Sequence, residues 1–159
     1  MHFLFLCTGN SCRSIMSEAV FEQLAPEGCT AASAGSRPAG RVHPGALAQL
    51  RRKHIPTEGY ASKSWNDLPL TPDVVVTVCG NAAGESCPAY LGNVVRTHWP
   101  LDDPSLREGT PDEIAAAFDA TYRIILARTA ALFALPLARL ADDKAALKQA
   151  LDRIAAVQA

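Results

Sequence analysis

The stretch Cys7-Thr8-Gly9-Asn10-Ser11-Cys12-Arg13-Ser14 constrains this chain more than any other. An apolar run, His2-Phe3-Leu4-Phe5-Leu6, precedes it and reads as a short buried strand. Ser14 to Leu24 follows and reads as a helix, so the motif is a tight loop between a strand end and a helix start. N–H groups at a helix N-terminus lack intrahelical partners and carry partial positive charge, and a loop of small residues turns such donors inward as an anion nest. Arg13 adds a planar, two-pronged donor suited to a tetrahedral oxyanion. The expected binding set is therefore Thr8, Gly9, Asn10, Ser11, Cys12, Arg13 and Ser14. The same field favours thiolate, so Cys7 is expected to titrate below a free cysteine, with Ser14 placed to donate to its sulfur. Such a site binds an oxyanion and aims a nucleophile at its central atom. A cysteine and an arginine at chance spacing are the plain alternative. The strand–loop–helix setting, with Gly9 and Asn10 for the turn, argues against it.

The rest of the chain supplies a frame for that loop. Cys29 to Gly35, Asp73 to Val78 and Asn93 to His98 read as three further short strands. Helices are expected from His43-Pro44 through His54, and from Pro111 through Leu132 to the break at Pro136. Strands alternating with helices predict an α/β fold, a four-stranded parallel sheet with helices on both faces. An anion loop at the carboxyl end of the first strand suits that architecture. The 159 residues, 48% apolar and 19% charged, favour one globular domain. Fifteen basic and sixteen acidic residues imply no broad affinity for nucleic acid or membrane. The apolar start is shorter than a secretory signal core and no run approaches a membrane span, which points to the cytoplasm. In that setting five cysteines suggest catalysis, redox cycling or metal binding and not a disulfide framework.

Cys79 begins where the valine strand ends, on the rim expected for Cys7, and Cys87 follows after small residues with two glycines. Such a segment changes shape cheaply, so Cys79 could approach Cys7, and Cys87 could then approach Cys79 by thiol–disulfide exchange. A zinc site from Cys79, Cys87 and His98, or two inert cysteines, are the competing readings. Cys12 is either small and buried or a partner in a side disulfide, and Cys29 is assigned to core packing. His98-Trp99-Pro100-Leu101-Asp102-Asp103-Pro104 places carboxylates on the same rim. Asp103, with its backbone restricted by the following proline, is the preferred general acid over Asp102, against the alternative that both merely cap a turn.

Together, the Cys7–Arg13 loop, the valine strand ending at Cys79, Cys87-Pro88, and His98-Trp99 to Asp103-Pro104 resemble the arsenate reductases built on the low-molecular-weight tyrosine phosphatase fold. The resemblance implies that Cys7 attacks arsenate held by Arg13 and the loop amides while Asp103 protonates the departing oxygen. It further implies that Cys79 and then Cys87 carry a disulfide relay that thioredoxin reduces. Glutaredoxin or another thiol is an alternative reductant, because the interval between Cys79 and Cys87 is longer by about one residue than in thioredoxin-coupled members. Phosphate and sulfate are expected to compete. No cofactor or metal is assigned. Some relatives bind potassium near the loop, and Asn10, Glu18 and Ser33 match, but the expected aspartate has no clear counterpart between Tyr60 and Asp67, where Lys63 lies. A phosphatase is the main alternative, disfavoured because Ser105 and Leu106 follow Asp103-Pro104 where such enzymes carry tyrosine. A non-enzymatic oxyanion- or zinc-binding module is the other. Residues 1–136 are expected to form the reductase domain and 137–159 a helical extension. The Leu140, Leu147, Leu151 and Ile154 stripe of that extension should pack on the domain, with a partner subunit as the alternative.

Overall fold

β1 (His2–Leu6) is the axis of the molecule, which the computed structural model describes over residues 1–80 and 93–159. Successive side chains of a strand point to opposite faces, yet Phe3, Leu4, Phe5 and Leu6 are all at most 2% exposed. Both faces of the sheet are therefore covered, as an all-parallel sheet requires. β2 (Thr30–Ala34), β3 (Val74–Thr77) and β4 (Val95–His98) complete it in the order β2-β1-β3-β4, every pairing parallel. The described helices are α1 (Arg13–Leu24), α2 (Pro44–Arg52), α3 (Pro111–Phe133), α4 (Leu137–Leu140) and α5 (Lys144–Ile154). Short 3-10 turns lie at Trp65–Asp67 and Pro104–Leu106.

The chain leaves β1 toward β2 on one side, then crosses to β3 on the other. Connections diverging from neighbouring strands open a crevice at their carboxyl ends. The register aligns Leu6 with Ala34 and Thr77, and Thr77 with His98. Cys7, Gly35, Val78 and Trp99 thus emerge on one rim. Hydrogen bonds carry the ladder one step further, from Val78 N–H to the Leu6 carbonyl (3.0 Å) and from Trp99 N–H to that of Thr77 (2.9 Å).

Element limits differ little from those expected. β2 begins at Thr30, because Cys29 N–H bonds the Pro26 carbonyl in a turn; Cys29 is half-buried against the core. α2 stops at Arg52, and His54 takes a left-handed φ of 58° that ends the helical path. α3 opens on a reciprocal Thr110/Glu113 capping box with Pro111 in its first turn. The C-terminal stripe packs inward: Leu147, Leu151 and Ile154 are at most 4% exposed, while Leu140 is half-buried. α5 contacts β4, α3 and α4.

Candidate active site

The loop after β1 is held from outside by its carbonyls. Arg37 N–H donates to the Thr8 carbonyl (3.0 Å), Ala39 N–H to that of Gly9 (2.8 Å), and His43 N–H to that of Ser11 (2.8 Å). The Ser62 hydroxyl adds a second bond to Gly9 (3.1 Å). Asn10, wholly buried, sits at φ 43°, a conformation asparagine tolerates better than most residues. Its Oδ1 accepts from Lys63 N–H (2.8 Å) and its Nδ2 donates to Ser14 Oγ (2.9 Å). With the carbonyl edge consumed outside, the N–H edge is left for the interior of the loop. Two of its donors meet sulfur: Gly9 N–H bonds Cys7, and Thr8 N–H reaches Cys79 Sγ at 3.4 Å. α1 starts at Arg13 with no side-chain cap, so its first-turn N–H groups point the same positive end toward the loop.

Gly35 fixes how closely this loop approaches β2. A Cβ there would run into the Cys7 and Thr8 carbonyls, both backbone atoms with no room to yield. Gly35 also accepts from Trp65 N–H and donates to the Lys63 carbonyl, tying residues 63–65 beneath the loop. Along the chain Gly35 is only the end of a strand; the close approach becomes visible in the fold.

Arg13 is one-sixth exposed and braced against the acid loop. Nη1 donates to the Leu101 carbonyl (3.1 Å) and Nη2 to Asp103 Oδ2 (3.3 Å). The other Asp103 oxygen accepts from Ser105 N–H (3.0 Å) and Ser105 Oγ (2.6 Å), capping the Pro104–Leu106 turn. Asp103 is therefore at once a carboxylate on the site's rim and the cap of that turn. It faces a cleft of about 420 Å³ lined also by Leu101, Pro104, Leu106 and Thr121. Asp102 is exposed and bonds neither Arg13 nor the loop.

Cys79 comes to the site as expected. It is 4% exposed and its thiol hydrogen-bonds that of Cys7. Cys87 lies outside the described residues. The expectation of a low Cys7 pKa is overturned by this contact. The hydrogen bond with Cys79 and burial push the Cys7 thiol up, and Arg13 with the Gly9 N–H pulls down without prevailing. Spacing along the chain revealed the positive cradle but not a second sulfur touching the first. The expected Ser14 bond to Cys7 is also corrected: Ser14 Oγ is the acceptor of Asn10 Nδ2, and the groups acting on Cys7 are Cys79, Arg13 and Gly9. Cys12 is buried, and desolvation and the nearby Asp103 push its thiol up to about 12, with Arg13 opposing. It is a protonated free thiol at neutral pH.

Beneath the loop, Ser33 donates to the buried Glu18 carboxyl at 2.5 Å. Burial raises the Glu18 pKa against the opposing Ser33 bond and the charge of Lys63. Among the described residues no three His, Cys, Asp or Glu side chains are grouped to hold a metal ion.

Residues 2–146 match the model of the low molecular weight phosphotyrosine protein phosphatase family. An arsenate reductase of Halalkalibacterium halodurans is 40% identical over 115 residues, 72% of this chain and 81% of that protein. One of Bacillus subtilis is 38% identical over the same shares. Among solved structures, an arsenate reductase in its phosphate-binding state superposes with a TM-score of 0.67 at 26% identity, covering 84% of this chain and 96% of the other. A low molecular weight phosphotyrosine phosphatase from Vibrio cholerae shares the fold at 19% identity and a TM-score of 0.67, covering 84% and 95%. With its cysteine–arginine loop between β1 and α1 and its Asp103 on the same rim, this chain belongs to the low molecular weight phosphotyrosine phosphatase family, on the branch of the arsenate reductases.

Proposed function

We propose that this protein reduces arsenate to arsenite through a three-cysteine relay. The observation that carries the reading is the buried Cys79 thiol in hydrogen-bond contact with Cys7, its sulfur also meeting the Thr8 N–H of the loop. A hydrolase has no use for a second thiol there.

Arsenate, a tetrahedral dianion, is held by the loop N–H groups and Arg13. Cys79 shares the cradle with Cys7 and raises its proton affinity, so the anion must displace it from Thr8 N–H. Burial then remains against Arg13 and Gly9 N–H, and Cys7 loses its proton more readily. Its sulfur bonds arsenic as one oxygen leaves, protonated by Asp103. The Cys79 thiolate next attacks the Cys7 sulfur. The S–S bond forms, the S–As bond breaks, and its electron pair stays on arsenic, which leaves as arsenite. Cys87 attacks Cys79 and frees Cys7, and an external dithiol, thioredoxin or glutaredoxin, reduces the Cys79–Cys87 disulfide. Phosphate and sulfate occupy the cradle as competitors. The reaction belongs to the cytoplasm, where such reductants are kept reduced.

Phosphatase activity is a second reading, favoured by the family match and by the likeness of arsenate to phosphate. The test is arsenate turnover by the parent, Cys79→Ser and Cys87→Ser chains, with the thioredoxin and glutaredoxin systems offered separately. Both variants should lose reductant-coupled turnover while keeping any hydrolysis of an aryl phosphate. Full arsenate turnover by Cys87→Ser would sink the relay.

A further inference from the structure

Arg128 lies on α3, far in sequence from the loop, and is 3% exposed. Among the described ion pairs it has no carboxylate partner; its guanidinium is satisfied by carbonyls instead. Nη1 donates to Pro100 (2.9 Å), Nη2 to Ala155 (2.9 Å) and Nε to Val157 (3.1 Å). Ala155 and Val157 close the C-terminus of α5, where the helix dipole is negative, so a buried cation is stabilised there without a counter-ion. Pro100 belongs to the segment that ends in Asp103. That segment is bound to α5 a second time, by Trp99 Nε1 to the Leu151 carbonyl (2.9 Å). It is bound to the sheet by Leu101 N–H to Val78 (3.1 Å), and to the nucleophile loop by Arg13 to the Leu101 carbonyl.

We propose that Arg128 is a positioning residue for the acid step: it locks the end of the C-terminal helix to residues 99–101 and so sets where Asp103 stands relative to Cys7 and Arg13. The proposal rests on the arsenate-reducing reading for its kinetics, but the clamp itself is independent of it. A lysine cannot replace this fork, because a single ammonium on a flexible stem does not span carbonyls from two directions. A general acid displaced by an ångström loses much of its effect.

The experiment uses the full chain with Arg128→Lys and Arg128→Met, each also in an Asp103→Asn background, at a temperature well below every melting point. In the parent background both variants should slow single-turnover reduction at saturating arsenate at least about tenfold, with KM within about threefold. In the Asp103→Asn background they should cost less than about twofold, since the group they position is gone. Equal losses in both backgrounds would make Arg128 merely structural and overturn the proposal. So would an Asp103→Asn chain as fast as the parent, which leaves the cysteine chemistry standing. If no arsenate turns over at all, the functional reading has failed, and amide exchange decides the clamp. Leu101 N–H should exchange at least about tenfold faster in Arg128→Met, with Cys7 N–H unchanged. Parent-like exchange at Leu101 would overturn it.

Discussion

The two walls of the site are built by different means. On the β2 side the nucleophile loop is held largely by backbone: Arg37, Ala39 and His43 N–H groups on loop carbonyls, Gly35 pressed against Cys7 and Thr8, and Lys63 N–H on Asn10. On the β4 side the acid loop is held largely by side chains: Arg13 and Arg128 reach it from remote elements, and its own Trp99 indole reaches out to the Leu151 carbonyl. Backbone bonds survive most substitutions, so the cradle tolerates change nearly everywhere except where a Cβ or a φ matters. The acid loop is vulnerable at a few long side chains. In the proposed reaction the first wall governs whether an oxyanion binds, and the second how well its departing oxygen is protonated.

The sharpest way to break this contrast is Gly35→Ala. The added methyl meets backbone that cannot move, so a loss of about 3 kcal/mol in urea unfolding is expected, with phosphate binding abolished. A parent-like midpoint would mean that the close approach at Gly35 does not set the cradle. Trp99→Phe is the milder counterpart on the other wall. It keeps a ring against Phe5 but deletes the donor to Leu151, at about 1 kcal/mol. Reduction should slow a few-fold while phosphate affinity, read by calorimetry, stays within about twofold of the parent. If affinity falls more than rate, the walls are one unit and the contrast fails. Glu18→Gln should have the smallest effect. Burial raises the Glu18 pKa, so the folded state holds this proton more tightly than the unfolded chain. Its contribution is fully favourable below the ordinary value of 4.5 and is lost as pH rises through the raised value. Gln removes that dependence, so the variant should gain about 2 °C in Tm at pH 8 and nothing at pH 4. A pH-independent difference in Tm would contradict the assignment.

The first wall was legible in the sequence because its logic is local. A strand, a small-residue loop and a helix in succession announce an anion nest, and Asn10 and Arg13 sit inside the motif itself. The parallel sheet followed from the alternation of elements, and the shared rim of Cys7 and Cys79 from the strand ends. What stayed hidden was long-range. Nothing near Gly35 states that the Cys7 carbonyl passes over it. The proton affinity of Cys7 depends on the sulfur of Cys79, which is remote in the chain. Nothing in the residues around Arg128 names its partners, and only the fold brings α5 and Pro100 to it.

The lysines of α5 carry a last consequence. β4 is an outer strand, and with Val95 and Trp99 N–H turned to β3, its Arg96 carbonyl faces away from the sheet. Lys148 Nζ bonds that carbonyl (2.8 Å), and Lys144 Nζ bonds the one at Asn93 (3.0 Å), just before the strand. Ammonium groups seated there deny the edge to an incoming extended chain and make fibril-like stacking through it unfavourable. Removing the final helix would bare this hydrogen-bonding border, so a shortened protein is expected to be the sticky one, even where Cys7 and its loop are untouched.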